Sequence, residues 1–108
     1  MPATNPKNLQ GLVDHLVQRV HPRKVMLFGS YAYGTPHEGS DVDLLVVMPH
    51  PPARQQRWQI ASELRPYSQA PVQLIFISPE EFEETKDVVG GIAYPATHWG
   101  KPLYEADS

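Results

Sequence analysis

Two short apolar segments, residues 24–28 and 41–47, limit most strongly how this chain can fold. The first is bounded by Pro22 and Gly29, and the second is followed by a proline-rich loop at 49–52. Each segment is too short for a typical helix and is bounded by residues that break regular structure, which is typical of a buried strand. The chain is therefore expected to build a sheet around these two segments.

Helical patterns stand on either side of the two predicted strands. Apolar residues recur at helical spacing over 9–20, and Asn5-Pro6 or Asn8 is the expected start of that helix. A second helix is predicted over 54–64, ended by Pro66. A third strand is predicted over 72–77, and Ser78 is then expected to cap a helix that begins at Pro79, with Glu81 completing a capping box. The last segment predicts a short helix ending near Gly100 and an extended tail.

This order of elements predicts an α/β (α+β) fold, a small mixed sheet flanked by helices. The 108 residues contain no internal repeat and no long linker, so a single domain is expected over 1–108. A chain of this length buries roughly two-thirds of its unfolded surface, which is enough for one core.

Composition excludes several classes of partner and compartment. The chain has 9 Lys and Arg against 12 Asp and Glu, a formal charge of −3, without the basic stripe that extended nucleic acid requires. No cysteine is available for disulfides or thiolate metal sites. The sequence has neither an apolar leader nor a run long enough to span a membrane, so we expect a cytoplasmic protein. An oligomer is compatible with these numbers.

The two aspartates that open the second strand predict a metal site. Side chains at i and i+2 of a strand lie on the same face, about 6.6 Å apart by rise, so Asp41 and Asp43 can converge on one ion. Two carboxylates about 5 Å apart repel by roughly 3 kcal/mol at an effective dielectric near 20. Mg²⁺, or Mn²⁺ in its place, removes this repulsion and is usually shared with waters and substrate phosphates.

Gly29 and Ser30, separated from the aspartates by ten residues, predict an anion site at the end of the first strand. A glycine lets the backbone approach a ligand closely, and Ser30 offers an N–H and a hydroxyl near the start of a short helix. The spacing of Gly29 and Gly34 is that of a P-loop, but Thr35-Pro36 stands where Lys-Ser or Lys-Thr is needed. A P-loop is therefore excluded, and a triphosphate bound through this turn is expected.

The segment 29-GSYAYGTPHEGSDVDLLVV-47 resembles the signature of the DNA polymerase β-like nucleotidyltransferase superfamily, in particular its minimal nucleotidyltransferases, which are often encoded beside helical HEPN partners in toxin–antitoxin pairs. The resemblance implies that Gly29 and Ser30 hold the triphosphate and that Ser40 orients the aspartate loop. It also implies that Asp41 and Asp43 are catalytic and bind Mg²⁺. The implied reaction transfers a nucleoside monophosphate from an NTP, with ATP expected, to a hydroxyl that a HEPN partner would present.

Gln73 departs from this pattern, because the family normally has a third carboxylate on the next strand. A glutamine carbonyl can ligate a metal but cannot accept a proton from the attacking hydroxyl, and losing a general base typically costs 10²–10⁴ in rate. Two interpretations stay open. The chain is either a nucleotidyltransferase, or a binding module that holds nucleotide or covers a partner without turnover.

The remaining conspicuous residues predict structural roles. The five histidines show no zinc spacing and are expected at the surface or in caps, with His37 the only candidate for nucleotide contact. The three arginines of the second predicted helix, Arg54, Arg57 and Arg65, are expected on its solvated side. Trp58 and Trp99 are expected to anchor a core or an interface.

Overall fold

A computed structural model describes residues 9–33, 41–68 and 70–106, which form one four-stranded sheet with the order β3-β2-β1-β4. The strands are β1 (Lys24–Phe28), β2 (Val42–Val47), β3 (Val72–Ile77) and β4 (Lys101–Glu105). β1 lies antiparallel to both of its neighbours, whereas β2 and β3 are parallel. The sheet is therefore mixed, as the sequence predicts.

Five helices accompany the strands among the described residues. They are α1 (Leu9–Val20), α2 (Ser30–Tyr33), α3 (Arg54–Leu64), α4 (Pro79–Thr85) and α5 (Tyr94–Trp99). A 3₁₀ turn at Arg65–Tyr67 ends α3, because Pro66 has no N–H to continue the helical hydrogen bonds. At the start of α4, Ser78 Oγ accepts a hydrogen bond from the Glu81 backbone N–H at 3.1 Å, as the predicted N-cap requires. No described helix is long and apolar enough to cross a membrane.

Each face of the sheet covers its own hydrophobic cluster, because successive strand residues point to opposite sides. On one face, Val42, Leu44 and Val46 pack with residues of α1 and α3. On the other face, Leu45 and Val47 pack with residues of α4 and α5. β2 is therefore apolar on both sides except at its second residue, Asp43, which is half-buried.

The predicted bounds of β1, α3 and β3 agree with the structure, and the fold class is confirmed. Asp41 was expected inside the second strand, but it directly precedes β2. The expected start of α1 at Asn5-Pro6 or Asn8 lies outside the described residues.

The predicted extended tail is a fourth strand, β4. It pairs with β1 through a bulge, where Val25 and Met26 face Tyr104 and Pro102. Pro102 is tolerated there because an edge strand at a bulge does not need every N–H.

Predictions about three single residues can be compared with the structure. Neither tryptophan is in the core, since Trp58 is 75% exposed and Trp99 is 58% exposed, so of the two expected roles only that of an interface anchor fits. His15 is not only a surface residue, because its Nε2 lies 2.9 Å from Glu63 Oε1 and thereby joins α1 to α3.

Candidate active site

The turn after β1 brings the backbone of Gly29 against the side chain of Asp43. The register of β1 and β2 places Phe28 opposite Asp43, so the next residue along the chain passes directly over that carboxylate. Gly29 has a φ of 79°, which L-residues rarely adopt, and a Cβ built on it would collide with Asp43 Oδ2. Glycine is required at this position by both the backbone conformation and the space.

Asp41 and Asp43 form a pair of carboxylates at the start of β2. Val42, which separates them, is buried among the residues under α1 and α3, and Asp43 faces the opposite side of the sheet. Burial, and after it the neighbouring charge of Asp41, raise the pKa of the Asp43 carboxyl. Asp41 itself is exposed. The two negative charges thus lie near enough to repel each other at the edge of the core.

Gln73 on β3 is the direct neighbour of Asp43. The parallel register pairs the two residues, and Ile75 and Ile77, which follow Gln73 at i+2 and i+4, pack under α4 and α5. The predicted location of Gln73 beside the aspartates is therefore confirmed. Gly29, Asp43 and Gln73 therefore lie in a row across the sheet, with the Asp43 carboxylate in the middle.

The residues present fit a magnesium ion that is shared with a substrate. Both candidate protein ligands are carboxylates, which Mg²⁺ prefers, and their mutual repulsion would be relieved by a divalent cation. Within 9–33, 41–68 and 70–106, no group of three or more His, Asp or Glu side chains converges. The aspartates would therefore supply two ligand groups and leave the remaining positions to waters and substrate oxygens.

Glu63, the one acid between Asp43 and Glu80 in the sequence, has a structural role. A hydrogen bond with His15, followed by the interaction with Arg19, lowers the pKa of its carboxyl. The Arg19 Nε donates to Glu63 Oε1 at 3.2 Å. Glu63 therefore joins α1 to α3 and does not replace the family's third carboxylate.

Among the residues predicted from sequence, the structure brings Gly29, Asp41 and Asp43 together. Ser30 is the first residue of α2 and follows Gly29 directly, so its backbone lies at the site. Ser40 and His37 lie outside the described residues.

Sequence reasoning missed a groove beside Gln73, between α3 and β3. Its lining includes Arg54, Arg57, Trp58 and Arg65. All four side chains are exposed, so the predicted solvated side of α3 is confirmed, but the same side chains also border a cleft. The available signal was that Arg54 and Trp58 lie away from the buried Ile60 and Leu64 on α3. Arg57 shares the face of these two residues at i+3 and i+7, and its guanidinium lies over the Phe76 ring.

Comparison with known proteins identifies the family. The sequence pattern that defines the nucleotidyltransferase domain matches residues 9–93, which include both aspartates and Gln73. The chain belongs to this family. No curated protein matches this chain.

Solved structures with the same fold are toxin–antitoxin complexes. A mutant of the pair MntA–HpeT matches with 25% identity and a TM-score of 0.66, covering 93% of the nucleotidyltransferase and 74% of that chain. A toxin–antitoxin structure with AMP-PNP matches with 24% identity and a TM-score of 0.66, covering 91% and 74%. A tri-AMPylated HEPN toxin in complex with an MNT antitoxin, from Shewanella oneidensis, matches with 21% identity and a TM-score of 0.61, covering 92% and 71%. The predicted resemblance to minimal nucleotidyltransferases is confirmed.

Proposed function

We propose that this protein transfers AMP from ATP, with Mg²⁺, to a hydroxyl group on a HEPN-type partner protein. The observation that carries the proposal is the contact between Gly29 and Asp43, which joins a glycine turn to a carboxylate pair at one end of the two inner strands. The family match and the toxin–antitoxin complexes, one with AMP-PNP and one with an AMPylated toxin, support the choice of nucleotide and acceptor.

Different groups of the chain would bind the triphosphate and the metal ion. The backbone at Gly29 and Ser30 would bind the triphosphate, because this turn lies against the Asp43 carboxylate, for which the missing Cβ of Gly29 leaves room. Asp41 and Asp43 would hold the Mg²⁺, which would supply positive charge to the phosphate oxygens. The acceptor oxygen would form a bond to the α-phosphorus while the bond from that phosphorus to the bridging oxygen breaks; pyrophosphate would leave on the opposite side, and the hydroxyl proton would pass to solvent water.

A second candidate function is nucleotide binding without turnover, and Gln73 favours it. The amide beside Asp43 cannot accept the proton of the acceptor hydroxyl. In this case the protein would act by holding ATP or by covering its partner.

Thermal unfolding tests the nucleotide site independently of turnover. Mg²⁺ and ATP together should stabilise the protein by about 2.7 kcal/mol at a hundredfold excess over Kd, because they bind only the folded state. Either ligand alone should do less, since the metal is shared between the aspartates and the phosphates.

Asp41→Asn should lose this stabilisation, whereas Asp87→Asn, an exposed carboxylate on the chain after α4, should keep it. An equal shift in wild type and Asp41→Asn would contradict the site assignment.

A further inference from the structure

The groove between α3 and β3 lies on the α1–α3 face of the sheet and shares Gln73 with the candidate active site, whose Asp43 faces the α4–α5 side. Its volume is about 670 Å³, within the range of roughly 300–1,000 Å³ that is typical of ligand clefts. Residues 71–74 of β3 form one wall, and these include Gln73, the neighbour of Asp43. An extended segment lying along the edge of β3 would point alternate side chains to the two faces of the sheet, one set into the groove and the other toward the face that carries Gln73 and Asp43.

The in-line geometry of the proposed reaction assigns the β3 side of Asp43 to the acceptor. If the triphosphate lies at Gly29, on the β1 side of Asp43, the leaving pyrophosphate also departs on that side. In-line displacement then requires the attacking hydroxyl to come from the β3 side. The groove opens on this side of β2.

The charge of the groove favours an acidic ligand. Arg54, Arg57 and Arg65 line it, although the whole chain has a net charge of −3. Arg57 is held in place, since its Nε donates to the Pro52 carbonyl at 2.8 Å and its Cζ lies 5.5 Å from the centroid of the Phe76 ring. In the described part of the chain, neither Arg54 nor Arg65 forms an ion pair with an acid.

The wall formed by β3 favours a polypeptide over a nucleic acid. β3 is the outer strand of the sheet, and the Val42 N–H donates to the Pro71 carbonyl at 2.8 Å. By the alternation of a parallel ladder, Pro71 and Gln73 bond toward β2, while the backbone groups of Val72 and Leu74 point outward. Exposed strand edges bind extended peptides through these groups.

Trp58 adds the type of side chain that anchors protein interfaces. It is 75% exposed at the groove, beside the arginines. Tryptophan and arginine are the residues most enriched among those that dominate binding energy between proteins.

We propose that the α3–β3 groove binds an extended, acidic segment of the acceptor protein as an added strand along β3, and so presents the acceptor hydroxyl beside Gln73 and Asp43. This inference rests on the proposed function for the identity of the acceptor. The binding of the segment, however, requires neither Mg²⁺ nor ATP.

The test measures binding through Trp58 fluorescence in the Trp99→Phe variant, which leaves Trp58 as the only tryptophan. The probe is a short capped peptide in which glutamate alternates with valine around one tyrosine. Three comparison probes are the same peptide with lysine for glutamate, the glutamate peptide with alternate backbone amides N-methylated, and a short oligoadenylate. The glutamate peptide should bind about tenfold more tightly than each of them and should weaken as salt increases.

Two sets of variants locate the site. Arg54→Gln with Arg65→Gln should weaken binding of the glutamate peptide about tenfold, whereas Arg23→Gln, an exposed arginine outside the groove, should leave it unchanged. Absence of saturable binding, equal affinity for the lysine or N-methylated peptide, or equal affinity in the double variant would overturn the proposal. Tighter binding of oligoadenylate would overturn it in favour of a nucleic-acid groove.

The outcome is separable from that of the proposed function. Arg54→Gln with Arg65→Gln should weaken peptide binding but keep the response to Mg²⁺ and ATP in thermal unfolding, because neither arginine belongs to the nucleotide site. Absence of peptide binding by the wild type, with an intact response to Mg²⁺ and ATP, would reject the docking site alone. Intact peptide binding by the wild type, without a response to Mg²⁺ and ATP, would reject the nucleotide site alone.

Discussion

At the scale of single residues, Gly29 and Asp43 act as one unit. The turn is closed by a hydrogen bond from the Ala32 N–H to the Gly29 carbonyl at 3.0 Å, which starts the helix that follows. The positive φ and the contact with the carboxylate both depend on the missing side chain. Any side chain at this position would displace Asp43, the residue on which the metal site depends.

Gly29→Ala should lower the free energy of unfolding by about 2–4 kcal/mol, because backbone strain and a collision add together. Gly90→Ala is the matched control, since Gly90 has a φ of 89° but a Cβ there would meet open space. It should cost only the strain, about 1–2 kcal/mol. In an Asp43→Ala background, Gly29→Ala should cost no more than Gly90→Ala, as measured by urea unfolding. An unchanged cost in that background would show that the collision is unimportant.

The ionisation of Asp43 has a predictable effect on stability. Since the pKa of its carboxyl is raised in the folded protein, the unfolded chain loses this proton first, at about pH 3.9. Stability therefore falls as the pH rises from that value through the raised pKa, and the penalty is constant above it. Asp43→Asn abolishes the ionisation and should melt at a higher temperature than wild type at pH 7 in metal-free buffer.

The difference between wild type and Asp43→Asn should disappear at about pH 3, where the carboxyl is protonated in both states. Asp41→Asn should stabilise the protein less, because it removes only the repulsion and leaves the burial of Asp43, which is the larger cause. A less stable Asp43→Asn at pH 7 would contradict this account.

At the scale of elements, the pairing of β2 with β3 decides what Gln73 can do. The two strands are in register over their full length, so an acid at 73 would lie beside Asp43 without any rearrangement of the sheet. Gln73 is also exposed, so a charge there would be solvated. The strand pair is therefore compatible with a third carboxylate that the sequence lacks.

Gln73→Asp should raise AMP transfer to the partner protein by at least about tenfold, because the carboxylate supplies both a metal ligand and a base. Mass spectrometry of the partner after incubation with ATP and Mg²⁺ measures the transfer. Gln73→Asn is the matched control, since it has the same length as aspartate but cannot accept the proton. An increase of the same size in both variants would show that side-chain length, not the carboxylate, limits turnover.

At the scale of the whole molecule, the elements with local signals were predicted correctly and those that depend on distant partners were not. The periodicity of α1 and the short apolar runs of β1 and β3 are visible within a few residues of sequence. β4 has Pro102 in its interior and no alternating pattern, and it becomes a strand because β1 has a free edge. The carboxylate pair was likewise visible in the sequence, whereas the approach of Gly29 to Asp43 follows from the register of two strands.

The groove between α3 and β3 could not be predicted from the sequence for the same reason. The arginines predict only an exposed helix face and Trp58 an anchor of a core or an interface, because the edge of β3 that completes the groove comes later in the chain. The depth of that cleft depends on how α3 lies over the sheet, which spacing alone does not specify. The structure was therefore needed to find a surface that two elements build together, whereas the residues of each single element could be assigned from the sequence.

The position of β4 beside β1 also has a consequence for biosynthesis. β1 pairs with β2 early, since the two strands are close in sequence, but its other edge stays unpaired until residues 101–105 have left the ribosome. Until then, the strand that leads into the Gly29 turn has an open edge, available to other nascent chains. Emergence of one short segment closes that edge, so the timing of translation sets how long the newly made site is at risk of mispairing.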